Sequence, residues 1–313
     1  MKRVAVLGGN GFIGHHLVNY LKDKGYWVRS VDIKKLEFSK QRANEERLLD
    51  LTERFECLLA TQDVDEVYQL AAQMGGMGFI SKEHLLAFHD SNLINTYVPF
   101  ACVKNKVERL FFSSSVCVYP VDKINKGEIM TEEDISPANP NEAYGWEKLM
   151  AELRYLSYQE TKGLKIRIAR FDNTYGPEGT YDGGREKAPA ALCRKVALAD
   201  KEIEVWGNGK ATRHFLYVDD LVDGIYKLMQ SDYNKPVNLG TDELVTINQL
   251  AGMIIKISGK ELKIKNIDGP VGAIKRRISH TKAKRELNWK AKTSLMKGIE
   301  KTYKWIEERL NER

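Results

Sequence analysis

The run Arg3-Val4-Ala5-Val6-Leu7 passes directly into Gly8-Gly9-Asn10-Gly11-Phe12-Ile13-Gly14 and then into an amphipathic stretch from His15 to Lys24; nothing else narrows the fold of this 313-residue chain as much. A β-rich apolar strand, a glycine turn and a helix in that order aim a helix N-terminus at an anion, and the glycines let backbone approach a pyrophosphate closely. Glycines at this spacing also occur in ordinary loops. Placed between a strand and a helix, they define a dinucleotide site in which Gly8, Gly11, Phe12, Ile13 and Gly14 face the cofactor.

A second strand, Trp27 to Val31, ends at Asp32. A carboxylate there can accept hydrogen bonds from the adenosine ribose and would repel a 2′-phosphate, so the expected cofactor is NAD; a turn or a helix cap is the competing role. Asp50, before Leu51-Thr52, is a candidate for the adenine amine, with capping equally open. Further strands are expected at Glu66 to Leu70, Leu110 to Ser113 and Leu164 to Ala169, separated by helical patterns at about 84–104 and 143–161. Such alternation implies an α/β fold, a doubly wound parallel Rossmann sheet with ligands at the carboxyl ends of its strands.

After about residue 170 the pattern becomes irregular, with a Gly-rich loop at 176–184, a helix opening near Ala188-Pro189 and the turn Gly207-Asn208-Gly209. Residues 1–170 therefore read as the NAD-binding domain and 171–313 as mainly a smaller substrate domain. The stretch Phe215 to Asp220, entering an apolar helix, is expected to return the chain to the first domain over about 215–240, so that the two are interleaved. Two closing helices are expected at about 280–288 and 294–311.

Two segments carry chemistry. Tyr144 and Lys148 lie four residues apart and share a helical face, where an ammonium makes a phenol easier to deprotonate. With Ser115 as a donor to a developing oxyanion, they suit removal of a hydroxyl proton while hydride leaves the same carbon. Oxidation to a ketone acidifies the hydrogens on adjacent carbons, and inversion then needs one acid/base group on each face of the ring. Cys117 is one candidate, since a thiol's reference pKa is about 8.5; a small buried apolar role is its alternative. Lys187, before Ala188-Pro189, is the other. The positive end of a helix dipole would lower its pKa, Glu186 would oppose that if close, and a solvated loop charge is the alternative.

Several classes are set aside by composition. Forty-nine basic and forty-three acidic residues give +6, spread along the chain, which favours anionic ligands without making a nucleic-acid surface. The apolar runs are too short to span a bilayer, and Met1-Lys2-Arg3 enters a strand at once, so a cytoplasmic protein is expected. Cys57, Cys102, Cys117 and Cys193 lack the spacing of a disulfide framework or a metal site, and no metal is expected.

Met74-Gly75-Gly76-Met77-Gly78-Phe79-Ile80, Ser115 to Pro120, Tyr144 to Lys148, Gly183 to Pro189 and Ala211-Thr212-Arg213 together resemble the GDP-mannose 3,5-epimerase family of extended short-chain dehydrogenase/reductases, over nearly the whole chain. The resemblance implies transient oxidation at the sugar 4-position by NAD, epimerisation at the 5- and 3-positions, and return of the hydride. By it Tyr144 is the oxidation base and Cys117 and Lys187 are the acid/base pair. Gly75, Ser115, Val116, Asn173, Glu186, Ala188, Lys195, Ala211, Thr212, Arg213 and Arg277 would contact the nucleotide-sugar substrate, and the assembly would be a homodimer. Guanidinium forks at Arg213 and Arg277 suit a diphosphate, with surface ion pairs as their alternative. Departures are Asp172, where the family usually has His, Val116 in place of a small residue, and the basic loop before Arg277; they leave the sugar and the inverted carbons open. Other nucleotide-sugar epimerases, dehydratases and keto-sugar epimerase/reductases share the oxidation machinery, although a dehydratase would usually carry an acidic pair beside the serine segment. A non-catalytic dinucleotide sensor would be expected to lose the Tyr/Lys pair.

Overall fold

The computed structural model describes residues 1–80, 83–140 and 142–312. Strands β1 (Arg3–Leu7), β2 (Trp27–Asp32), β3 (Glu45–Leu48), β4 (Glu66–Gln69), β5 (Arg109–Ser115), β6 (Lys165–Phe171) and β7 (Val237–Leu239) form one sheet in the order β7-β6-β5-β4-β1-β2-β3, every neighbouring pair parallel. Parallel strands are covered on both faces, which is why the central ones are apolar at consecutive positions. Val4, Val6, Tyr68 and Phe111 pack in one layer with Leu17, Val18 and Leu21 of α1 (Phe12–Asp23). Ala5, Leu7, Val67, Leu110 and Phe112 pack in the other, under α2 (His84–Lys104) and α3 (Glu142–Lys162). The doubly wound sheet expected from the alternation is the one observed.

Two of its strands carry no sequence signal. β3 reads Glu-Glu-Arg-Leu and lies half-exposed at the sheet edge, and β7 is only three residues long. The strand expected at Leu164 to Ala169 runs on to Phe171, delivering Asp172 and Asn173 to the carboxyl edge.

The rest of the chain builds smaller units over that edge. Asn173–Tyr175, Thr212–Tyr217 and Leu244–Thr246 form a three-stranded sheet, and Glu202–Trp206 pairs with Lys263–Ile267. Helix α4 (Ala188–Leu198) contributes Leu192 and Val196 to a core with Phe215, Leu250, Ile254, Ile299 and Tyr303. Helix α5 (Val218–Gln230) leaves this unit and packs on α1, placing Leu221, Ile225 and Leu228 in the sheet's core before β7 joins the sheet. Among the described residues no helix is long and apolar enough to cross a membrane.

Candidate active site

Loops at the carboxyl edge of the sheet enclose a cavity of about 1000 Å³, near the upper end of the range for small-ligand sites. At one end the Gly8 and Gly9 N–H groups donate to Val31 O at 2.8 and 3.0 Å, holding the loop against β2. A Cβ on Gly14 would overlap the Gly8 carbonyl oxygen, so only glycine lets α1 start this close to the strand. Gly8, Gly11, Phe12, Ile13 and Gly14 all line the cavity, and the absence of side chains at the glycines leaves the room a dinucleotide needs.

Asp32 lines the same end while closing the turn. Its Oδ2 accepts from Asn10 N at 3.0 Å and its Oδ1 from Ile33 N at 2.8 Å and Lys34 N at 3.3 Å. Burial raises its pKa, against the pull of those backbone donors. Asp50 is also at the wall, with Oδ1 accepting from Thr52 N at 2.9 Å and Thr52 Oγ1 at 2.7 Å. Each carboxylate therefore closes a turn and also lines the cavity.

The chemistry gathers at the middle. Ser115 ends β5 and caps a short 3₁₀ turn, Val116–Val118, its Oγ accepting from Cys117 N at 3.2 Å. Helix α3 crosses behind this turn, and a Cβ on Gly145 would overlap Cys117 O; the glycine after Tyr144 is thus what lets the phenol sit beside the thiol. Burial pushes the Tyr144 pKa up, as does the nearby Cys117, while a hydrogen bond with Ser115 pulls it down. Lys148 is 2 % exposed, with Nζ 5.8 Å from the Tyr144 ring centroid and 4.9 Å from that of Phe112.

Facing them is the start of α4. Lys187 is its N-cap residue, with Pro189 in the first turn. Burial lowers the lysine's pKa and Cys117 raises it, so amine and thiol lie within electrostatic reach of each other. Glu186 does not offset this effect: its Oε1 accepts from Arg194 at 3.2 Å. Gly76 N donates to Arg185 O at 2.9 Å, which ties the Gly75-Gly76 loop to the segment bearing Lys187.

The cavity wall includes Gly75, Ser115, Val116, Cys117, Tyr144 and Lys148, together with Asn173, Glu186, Lys187, Ala188, Lys195, Ala211 and Arg213 from the irregular half. Lys195 Nζ donates to Glu204 O at 2.8 Å. Two expected contacts lie elsewhere. Arg277 is exposed and donates to Gly127 O at 3.5 Å, whereas Arg276 is 5 % exposed and lines the cavity. Strand Arg277–Ile278 pairs with Ile129–Met130, and its alternation turns residues 276 and 278 inward and 277 out. Thr212 is likewise outside the wall, its N–H donating to Ile274 O at 3.0 Å.

Arg213 and Arg276 are the cationic pair of the site. Burial, and then Arg276, push the Arg213 pKa down to about 9. Among the described residues Arg213 donates only to carbonyls, Thr212 O at 2.8 Å and Val271 O at 3.0 Å, and Arg276 Nε has no hydrogen-bond partner. Two buried guanidiniums with no carboxylate paired to either among the described residues suit a dianion. Trp206, 44 % exposed at the rim, is another cavity residue without a sequence signal; Asp172, noted from sequence only as a departure from the family pattern, also lines the cavity and pairs with His280 Nε2 at 2.8 Å. Outside the cavity, one group of possible metal donors stands among the described residues, His15, His16 and Glu178, with His15 Nε2 and Glu178 paired at 2.7 Å.

Comparison with known proteins fits this geometry. The model of the NAD dependent epimerase/dehydratase family matches residues 4–240. A protein of Oryza sativa subsp. indica named GDP-mannose 3,5-epimerase 1 is 40 % identical over 311 residues, covering 98 % of this chain and 82 % of the relative. GDP-mannose 3,5-epimerase of Arabidopsis thaliana is 39 % identical over 312 residues, 98 % and 83 % of the two chains. The crystal structure of UDP-glucuronic acid 4-epimerase from Bacillus cereus, in complex with UDP-glucuronic acid and NAD, superposes with a TM-score of 0.85 at 26 % identity, covering 98 % and 100 %. The chain belongs to the NAD dependent epimerase/dehydratase family. It is an enzyme of nucleotide-sugar epimerisation, and its cofactor is NAD.

Proposed function

We propose that the chain converts GDP-mannose to GDP-L-galactose by inverting the sugar at its 3- and 5-positions through a transient 4-keto intermediate. The observation that carries this reading is the meeting of three groups in one cavity: the Tyr144 phenol, the Cys117 thiol and the Lys187 amine, the thiol acting electrostatically on the other two. The bound cofactor supplies a two-electron hydride acceptor that is restored in each turnover. Tyr144, eased by Lys148, takes the 4-hydroxyl proton, and Ser115 donates to the oxygen that becomes the ketone. The hydrogens on the flanking carbons are then acidic. Cys117, on the 3₁₀ turn after β5, and Lys187, at the start of α4, remove a proton from one face and return one to the other; burial disfavours the lysine's charge, which suits it to act as a base. Arg213 and Arg276 clamp the diphosphate, which leaves the hexose as the part of the ligand beside the thiol.

The same helices offer a surface for a second copy. Trp146, Met150 and Leu153 form an exposed stripe on α3 at helical spacing, 40, 44 and 58 % exposed, and Leu85 at the start of α2 is 77 % exposed. We read this as a homodimer face, to be checked by sedimentation of the parent and of Met150→Glu. The four free cysteines fit a reducing compartment, and we place the enzyme in the cytoplasm.

Incubation of the purified protein with GDP-mannose in deuterated water, without added cofactor, tests the reaction. Deuterium at both the 3- and 5-carbons is expected. Inversion at the 4-carbon without solvent label would replace this reading by that of a 4-epimerase.

A further inference from the structure

Glu147 sits between the two redox residues on α3 and is 1 % exposed. Its Oε1 accepts from Asn95 Nδ2 at 2.6 Å. The Asn95 carbonyl oxygen in turn accepts from Tyr155 OH at 3.1 Å and Gln69 Nε2 at 3.2 Å, which fixes the amide with its NH₂ toward Glu147. The other oxygen, Oε2, is buried with no hydrogen-bond partner among the described residues and lies 4.0 Å from Lys148 Nζ. A carboxylate so anchored on one oxygen and bare on the other is aimed at the ammonium.

The need for it follows from burial. An enclosed amine sheds its proton unless an opposite charge is close. Burial does pull the Lys148 pKa down, and Glu147, followed by Glu152, pushes back. Glu152 cannot answer for Lys148 alone, because both its oxygens are held by Arg170, at 2.9 and 2.7 Å, and Ser114 donates to it as well. Among the described residues, Tyr144 and Tyr155 on the same helix also feel the Glu147 charge, and Cys117 on the 3₁₀ turn and Arg276 act on Tyr144. Of the elements packed against this stretch of α3, α2 contributes the neutral Asn95, β5 contributes Phe112 and Ser114, and β6 contributes Arg170.

We propose that Glu147 is the counter-ion that keeps Lys148 protonated inside the closed cavity, a positioning residue that serves the reaction through that ammonium. Its direct effect on Tyr144 is unfavourable, since a carboxylate raises a phenol's pKa. Its worth is therefore in the lysine. The proposal rests on Tyr144 and Lys148 being the redox pair, and is independent of which sugar is bound.

The test is titration of the Lys148 side chain in the holoenzyme by NMR, with carbon-13-labelled lysine and the signal assigned by Lys148→Arg. Glu147→Gln keeps the acceptor for Asn95 and removes the charge. Its Lys148 midpoint should fall by about one to three pH units, the usual effect of losing an opposite charge at this range, and the alkaline limb of kcat/KM should move down with it. A midpoint unchanged from the parent, with only thermal stability altered, would overturn the proposal and leave Glu147 a packing residue. Should Glu147→Gln fail to fold, the parent titration decides: a midpoint above neutrality is expected, and a lysine already neutral at pH 7 would refute the assignment. Failure of the sugar reaction would show as absent turnover with the Lys148 titration intact.

Discussion

The two ends of the cavity are made of different material. At the cofactor end the work is done by backbone: the glycine turn, the start of α1 and the edges of β1 and β2, all fixed by a buried parallel sheet. At the end we assign to the sugar it is done by side chains, Cys117, Lys187, Arg213 and Arg276, brought in by a 3₁₀ turn, a helix cap, a strand of a small sheet and the residue preceding another short strand. A backbone site is intolerant of an added methyl and indifferent to much else. A side-chain site is the reverse, and it can change its chemistry without changing the fold.

That contrast can be broken in order of effect. Gly14→Ala should be the most damaging single change, because its Cβ would overlap the Gly8 carbonyl oxygen; a loss of about 3 kcal/mol or more in unfolding free energy and of the cofactor retained on purification is expected. Arg276→Ala should cut the affinity for a nucleotide diphosphate sugar by about 10- to 100-fold, the worth of a charged hydrogen bond, with stability nearly unchanged. Arg277→Ala, exposed and outside the wall, should leave it alone; equal losses in the two variants, measured by calorimetry, would undo the assignment of Arg276. Asp32→Asn should weaken NAD binding by about 10-fold and narrow the preference over NADP, with a thermal shift smaller than that of Gly14→Ala.

The smallest effect concerns pH. Burial alone would lower the His280 pKa, but Asp172 and Asp242 more than reverse this, so it lies above the ordinary histidine value. A raised histidine adds stability that is complete below its unfolded pKa and is lost as pH rises through the folded one. The gap in unfolding temperature between the parent and His280→Gln should therefore be widest below about pH 6.5 and close above it. A gap that widens with rising pH would reverse the sign and remove the ion pair with Asp172 from the site's support.

How much of this was legible in the sequence follows the same division. The glycine turn, the alternation of strands and helices, and Tyr144 with Lys148 are local patterns, and the structure has them at the cavity. β3 and β7 were not legible, since one is polar and the other too short to show a period. Arg277 came from the resemblance, and a two-residue strand gives no alternation against which to check it; only the pairing with Ile129–Met130 sets Arg276 inward and Arg277 out. From sequence the helix start and Glu186 pulled the Lys187 pKa in opposite directions and the net shift was open; burial, legible only in the fold, is the leading cause of its fall, and Glu186 is taken up by Arg194. Glu147 belongs to no spacing rule at all; its meaning comes from Asn95, fifty-two positions away.

The most direct test of two chemistries sharing one cavity separates them. With Cys117→Ala and with Lys187→Ala, GDP-mannose should still reduce the bound nicotinamide transiently, seen in its absorbance, while solvent deuterium entering the 3- and 5-carbons should fall by about 100-fold or more. Undiminished carbon exchange in both variants would contradict the assignment of the thiol and the amine.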